Sequence, residues 1–376
     1  MVSARKASKR LRSKLSAISK QRESDAYKRQ LKGRNVDVAT DTVRLSYGPE
    51  MGAVLTGGGV VTGGKVKLTH LYEQYPHQET RFNILYLVSS ALPKHAVMLV
   101  RWAKHYGVKV VLNQNGVAYP GWTDDYQAIN AELQEILTAS DLVLYQSRFC
   151  KESADRFAGK PTARWEIVNN CVDIEHFKPS NRQRNGSIML LVAGTHHQRE
   201  RVVLPLYILK ELLAKNISAS LKVLGPLAWE GAAGEVEDLS QQLNVAAETD
   251  FLGSYRQEEA PFLYQKGDML LHFKYKDPCP NVVIEALACG LPVIGSQSGG
   301  LPELVGKHAG MLLPVGDSWE QLKYPQVGDV TRAVLEVGRN LDAFQQAARR
   351  RAEDEFSAQC WVKRHKILFE ELIFDK

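Results

Sequence analysis

From Gly52 onward, short runs of apolar and β-branched residues alternate with helix-length amphipathic segments, on both sides of one polar break that contains proline and glycine. That alternation constrains the fold more than any other feature. Strands separated by helices pair in parallel through crossover connections, which gives sheets covered by helices. In the first half, candidate strands fall at 53–56, 83–88, 108–112, 142–145 and 166–169, with helices over 66–75, 94–106 and 125–138. The stretch 177–186, Phe-Lys-Pro-Ser-Asn-Arg-Gln-Arg-Asn-Gly, has no periodicity and reads as a linker. Beyond it come strands at 188–193, 220–224, 250–252, 269–273 and 292–294, with helices over 202–213 and 281–288. Past Asp317 the pattern turns helical, and Trp361, His365, Leu368 and Leu372 mark one face of a closing helix.

The expected architecture is α/β, with two Rossmann-like doubly wound domains facing a central cleft. Its parts are a basic tail at 1–48, a first domain at 49–178, a linker at 179–187, a second domain at 188–350 and a closing helix at 351–376. A chain of 376 residues with 44% hydrophobic and 24% charged content has room for two such cores. No long uncharged apolar run and no apolar block near the start appear, so a cytoplasmic location is expected. The five cysteines show neither CxxC nor cysteine–histidine spacing, which points to reduced thiols and to no zinc site.

Charge is unevenly spread. Residues 1–34 hold twelve Lys or Arg against Glu23 and Asp25, a net of +10, so the rest of the chain is −4 within a total of +6. Leu11, Leu15 and Ile18 fall on one helical face among these basic residues. Two readings stand: a solvated tail, or peripheral contact with an anionic membrane surface on the cytoplasmic side. No aromatic pattern supports nucleic acid, and none is expected as a partner.

The chemistry concentrates in Asp277-Pro-Cys-Pro-Asn-Val-Val-Ile-Glu285, which lies in a strand, loop, helix, turn, strand unit. Ligands of such sheets bind at the carboxyl ends of the strands. The start of the helix, which Asn281 is placed to cap, offers unpaired N–H groups and a positive dipole end to an anionic diphosphate. An ionised Asp277 or Glu285 accepts hydrogen bonds from sugar hydroxyls. Spacing alone leaves the plainer reading open, in which Glu285 faces solvent and Asp277 is a turn residue before Pro278.

The run from Asp277 to Val305, with its EALACGLPVI and SGGLPELV segments, resembles the signature of the retaining nucleotide-sugar glycosyltransferases of the two-Rossmann-domain (GT-B) type, especially family 4. Leu144-Tyr-Gln-Ser147, Val168-Asn-Asn-Cys-Val-Asp-Ile-Glu-His-Phe-Lys-Pro179 and Phe251-Leu-Gly253 are similar to further elements of that family. The resemblance implies that Glu285 holds the donor ribose and that Asp277 contacts the transferred sugar, as the catalytic acid position. Here Asp replaces the family's usual Glu, and Pro278-Cys-Pro280 replaces a glycine-rich turn. Proline has no N–H, so diphosphate contacts fall to Asn281, Val282 or Cys279. In the loop Gly194–Arg201 the family's phosphate-neutralising Arg and Lys are out of register, and Arg199 and Arg201 are the nearest substitutes. Gly58 and Gly59, in the loop 57–65, face the cleft in the resembled family and let backbone approach the ligand. That loop nearly forms a phosphate-binding P-loop, but Val66 stands where a Ser or Thr belongs.

The implied activity is transfer of a sugar from a nucleoside-diphosphate donor to a hydroxyl of a glycan, polysaccharide or lipid-linked acceptor, with retention of configuration. No cofactor and no metal are expected, the nucleotide sugar being the substrate. The region 111–120 offers Asn113, Gln114 and Asn115 but no histidine, and no general base is assigned. An epimerase or phosphorylase on the same fold, or a binding-only relative, remain as rivals.

Overall fold

The structure is a computed structural model that describes residues 21–57, 65–180 and 186–375. Eleven strands among them form two all-parallel sheets. The first is β1 (Leu45–Ser46), β2 (Ile84–Val88), β3 (Lys109–Gln114), β4 (Leu142–Tyr145) and β5 (Arg164–Ile167), side by side in that order. Its residues alternate between two helix-covered faces, as the pleat demands. Leu85 and Leu87 pack under helices α3 (Ala96–His105), α4 (Tyr126–Ala139) and α5 (Arg148–Phe157), whereas Ile84, Tyr86 and Val88 face α2 (Lys67–Gln74).

Two expectations for this half are corrected. Residues 53–56 are not a strand but the end of α1 (Pro49–Thr56), which begins with Pro49, a residue whose fixed φ suits a first helical turn. The first strand is Leu45–Ser46, inside the stretch assigned to the tail. Residues 21–32 are helical, with Leu31 buried in the first domain's core and Tyr27 packed against it, so this part of the basic segment is docked rather than free. Leu11, Leu15 and Ile18 lie outside the described residues.

The second sheet contains β6 (Ile188–Ala193), β7 (Ala219–Leu224), β8 (Thr249–Gly253), β9 (Met269–His272), β10 (Val293–Ser296) and β11 (Gly310–Leu313). Its spatial order is β8-β7-β6-β9-β10-β11. The winding reverses between β6 and β9, and the crevice at the carboxyl ends of those two strands is where such a sheet binds ligands. Helices α6 (Glu200–Ala214), α7 (Ala232–Gln242), α8 (Ala260–Tyr264), α9 (Asn281–Ala288), α10 (Leu301–Val305), α11 (Val327–Arg339) and α12 (Leu341–Glu355) cover it.

The last helix, α13 (Ala358–Phe374), returns to the first domain and fills the open face of its sheet. Trp361, Leu368 and Phe369 are buried there, each worth roughly 1.5–3 kcal/mol of apolar burial. His365 Nε2 lies 3.0 Å from Tyr86 Oη, and Arg364 grips Glu166 of β5 through both carboxylate oxygens. The two halves are therefore strapped together at the end of the chain. They also meet across the cleft: Trp319 stacks on Phe149 with ring centroids 5.6 Å apart, and Gly121 N donates to Trp319 O at 2.6 Å. Among the described residues no helix is long and apolar enough to cross a membrane.

Candidate functional site

β9 delivers the chain to the switch point, and the loop 273–280 leads into α9. Pro280 is the N-cap of that helix and no side chain caps it, which corrects the expectation for Asn281. Asn281 is instead the first helical residue, and its Oδ1 accepts from Asn170 Nδ2 of the first domain at 2.8 Å. Val282 N–H, in the first turn, meets no acceptor among the described residues, as helix geometry leads one to expect. The glycine pair that follows β10 has a steric reason. Gly299 has φ +63° and Gly300 N donates to Asp277 O at 2.8 Å. A Cβ on Gly300 would stand 2.0 Å from Pro278 O, so only glycine lets the two loops pass.

Asp277 is 7% exposed. Its Oδ2 accepts from His272 Nε2 at 3.1 Å and its Oδ1 from Lys274 Nζ at 3.2 Å. Burial alone would raise this carboxyl, but Lys274, His272 and Arg201 outweigh it and hold the acid well below the ordinary carboxylate range. Burial lowers the His272 imidazole, so near neutrality the ring is neutral, and its Nε2 must carry the proton because a carboxylate can only accept.

Glu285, 8% exposed, lies one turn into α9. Its Oε1 accepts from Gln257 Nε2 at 2.8 Å and its Oε2 from Tyr264 Oη at 3.1 Å. Burial pushes this carboxyl above its usual value despite those two bonds. The plainer reading of a solvent-facing Glu285 and an ordinary turn at Asp277 is therefore removed. Both acids are buried and hydrogen-bonded.

Arg199 and Arg201 separate. Arg199 is half-exposed at the start of α6 and pairs with Glu235, and with Glu200 at 3.8 Å. Arg201 is buried at the carboxyl end of β6. It donates to Ala193 O at 2.7 Å and to Thr195 O, while its Nε has no partner among the described residues. It lies within electrostatic reach of Asp277 on one side and of Tyr255 and Tyr264 on the other, and those two tyrosines in turn neighbour Glu285. Arg201 thus acts on Asp277 directly, while Glu285 is held by Gln257 and Tyr264. Cys279 is buried, its thiol pushed up to about 12 by burial, and its carbonyl accepts from Asn170 at 3.2 Å. Gly58 and Gly59 lie outside the described residues.

The loop is docked against the first domain. Ser147 Oγ donates to Pro278 O at 2.7 Å, and Phe149 N donates to Glu303 Oε1 at 3.3 Å. Asn113 and Gln114, the amides that the region 111–120 offers, are fully buried: Asn113 Oδ1 accepts from Gln146 at 2.7 Å, and Gln114 Nε2 donates to Asn115 O at 2.6 Å. Sequence reasoning named neither His272, Lys274, Gln257 nor Tyr264. His272 and Lys274 lie within five residues of Asp277, a proximity that was a usable signal; Gln257 and Tyr264 arrive only through the fold.

A parallel sheet with a β6/β9 switch point, facing a second wound domain across a cleft, defines the GT-B class. Solved structures agree on the fold. A glycosyltransferase from Rickettsia africae superposes with a TM-score of 0.62 over 88% of this chain and 90% of its own at 15% identity. The Anabaena protein HepE, crystallised with UDP, gives 0.60 over 82% and 81% at 17% identity. Residues 173–324, which hold the second sheet and the start of α9, match the family model for glycosyl transferases group 1. Among curated relatives, the phosphatidylinositol N-acetylglucosaminyltransferase gpi3 subunit of Schizosaccharomyces pombe is 22% identical over 210 residues, 55% of this chain and 44% of that protein. The matched part spans less than half the length of such relatives.

Proposed function

We propose that the chain transfers a sugar from a nucleoside-diphosphate donor to a hydroxyl of a glycan or lipid-linked acceptor, with retention of configuration. The observation that carries this reading is the convergence at the β6/β9 switch point: the start of α9, the buried guanidinium of Arg201 and two buried, hydrogen-bonded carboxylates meet there, inside the family-matched segment. In this scheme Glu285 receives the ribose hydroxyls, and the N–H groups of α9's first turn meet the diphosphate. Arg201 adds charge near the leaving group. Asp277, ionised at any working pH, accepts from a hydroxyl of the transferred sugar, with His272 and Lys274 fixing its orientation.

As the sugar–phosphate C–O bond breaks, a bond forms to the acceptor oxygen on the same face, and the acceptor proton passes to the departing phosphate oxygen. Charge stabilisation does most of the catalysis; removing one such donor typically costs on the order of 100- to 1,000-fold in rate. The scheme uses no resident metal, so a chelator should leave turnover unchanged.

The test is product analysis with nucleotide sugars and candidate acceptors, the anomeric configuration read by NMR. Transfer with retention supports the reading; epimerised donor without consumption of acceptor, or inversion, rejects it. The Asp at 277 in the place of the usual Glu and the Pro278-Cys-Pro280 turn favour one rival, a relative that binds nucleotide sugar without catalysis, and donor turnover by purified protein excludes it.

A further inference from the structure

Lys67 is electrostatically misplaced. It opens α2, where the helix dipole disfavours a cation, and it is 2% exposed. A buried ammonium is costly unless paired, yet among the described residues no carboxylate pairs with it. Its neighbours are amide oxygens: Asn113 Oδ1 and Asn170 Oδ1, each 2.7 Å from Nζ. Around it stand the thiols of Cys150, Cys171 and Cys279, all raised by burial and so neutral. His365 of α13 is also near, held neutral by burial at about 3, and its Nε2 lies 3.0 Å from Tyr86 Oη of β2. Burial lowers the amine to about 8.

The direction of the hydrogen bonds gives this cation a task. An ammonium only donates, so Asn170 must turn Oδ1 toward Lys67 and Nδ2 away from it. That Nδ2 then meets three acceptors: Gln146 Oε1 at 3.0 Å, Cys279 O at 3.2 Å and Asn281 Oδ1 at 2.8 Å. Gln146 Nε2 closes the circuit on Asn113 Oδ1 at 2.7 Å. A neutral amine also accepts, and would tolerate a flipped Asn170 whose oxygen faces the Cys279 carbonyl and the Asn281 oxygen.

We infer that Lys67 is a positioning residue for the donor loop: its ammonium fixes the amide of Asn170 so that this side chain clamps Cys279 and Asn281 from across the domain interface. The inference rests on the donor reading of α9, because the clamped residues are those that meet the diphosphate. Deprotonation of Lys67 loosens the clamp, so donor affinity falls as the pH rises through the amine's titration, and the first domain reports its charge state to the second.

The experiment uses the full chain with Lys67→Met, Lys67→Arg and Asn170→Asp, and has two arms. In the first, the affinity for UDP, GDP and ADP is measured by calorimetry from pH 7 to 9.5. The wild type should weaken roughly tenfold with an inflection near 8. Lys67→Met should be weak and flat, and Lys67→Arg should hold affinity to the alkaline end. Asn170→Asp keeps the shape and gives Lys67 a carboxylate but cannot donate, so it should lose both the affinity and the inflection. The same alkaline inflection in Lys67→Met overturns the proposal. In the second arm, hydrogen exchange at 281–284 is compared at pH 7 without nucleotide. Exchange about tenfold faster in Lys67→Met, restored by Lys67→Arg, supports the clamp; exchange equal to wild type in Lys67→Met refutes it. If no nucleoside diphosphate binds the wild type, the donor reading fails, and the exchange arm still decides the role of Lys67.

Discussion

Replacing Glu285 by Gln separates what this acid does for the fold from what it does for the ligand. Burial raises its native pKa above the unfolded value. Between those two values the folded state holds the extra proton, so stability falls as pH rises through that window. Above the window the ionised carboxylate is a standing cost to the fold. Gln removes that cost and keeps the contacts: its oxygen accepts from Gln257 in the place of Oε1, and its amide donates to the Tyr264 hydroxyl in the place of Oε2. The melting temperature at pH 7 should therefore hold or rise. The ligand loses more. A hydrogen bond to a charged group contributes about 1.5–3 kcal/mol against about 1 for a neutral pair, so two ribose hydroxyls together lose on the order of 1–4 kcal/mol. That corresponds to a dissociation constant roughly 5- to 700-fold weaker, since about 1.4 kcal/mol is tenfold. Calorimetry with a nucleoside diphosphate and a thermal melt at pH 7 give both numbers. Unchanged affinity refutes the ribose role, and a lower melting temperature refutes the electrostatic argument.

Three further outcomes follow from the same geometry. Asp277→Asn should slow transfer at least 100-fold while nucleoside diphosphate affinity stays within about threefold. Because Asp277 titrates far below its unfolded value, the stability it contributes is complete above the ordinary carboxylate range and is lost only as pH falls through the native value, so this variant should also flatten the acid limb of the stability profile. Gly300→Ala places a methyl against the Pro278 carbonyl and must displace the donor loop; nucleotide binding should be lost while the far-ultraviolet spectrum is kept, and intact binding would contradict the packing argument. Deleting residues 1–20 leaves the helical 21–32 and buried Leu31 in place and separates the two readings of the basic tail: membrane contact requires that the full chain bind vesicles with anionic lipid and the truncated chain not, whereas equal binding by both ends that reading for this segment.

The alternation of strands and helices was legible because parallel strands buried on both faces write themselves as continuous apolar runs; Leu142–Tyr145 and Ile188–Ala193 were readable to the residue. Residues 53–56 are ambiguous because Ala-Val-Leu-Thr is apolar whether it is a strand or the last turn of a helix, and only the Pro-Glu start at 49–50 arbitrates. The two-residue strand at 45–46 carries too little pattern to be seen. At the site, Asp277 and Glu285 could be found because they lie on one strand-loop-helix unit. The partners that determine their behaviour come from elsewhere: Gln257 and Tyr264 precede β9, Arg201 follows β6, and Lys67 and Asn170 belong to the other domain. Arg199 and Arg201 looked equivalent two residues apart, yet they lie on different sides of the start of α6, one to solvent and one to the switch point.

The most direct test of the account is a crystal structure of this chain with a nucleoside diphosphate. The account predicts ribose hydroxyls within hydrogen-bond distance of Glu285 and the diphosphate against the N–H groups that open α9, beside Arg201. A nucleotide seated anywhere else, or one whose ribose leaves Glu285 bonded only to Gln257 and Tyr264, would contradict it.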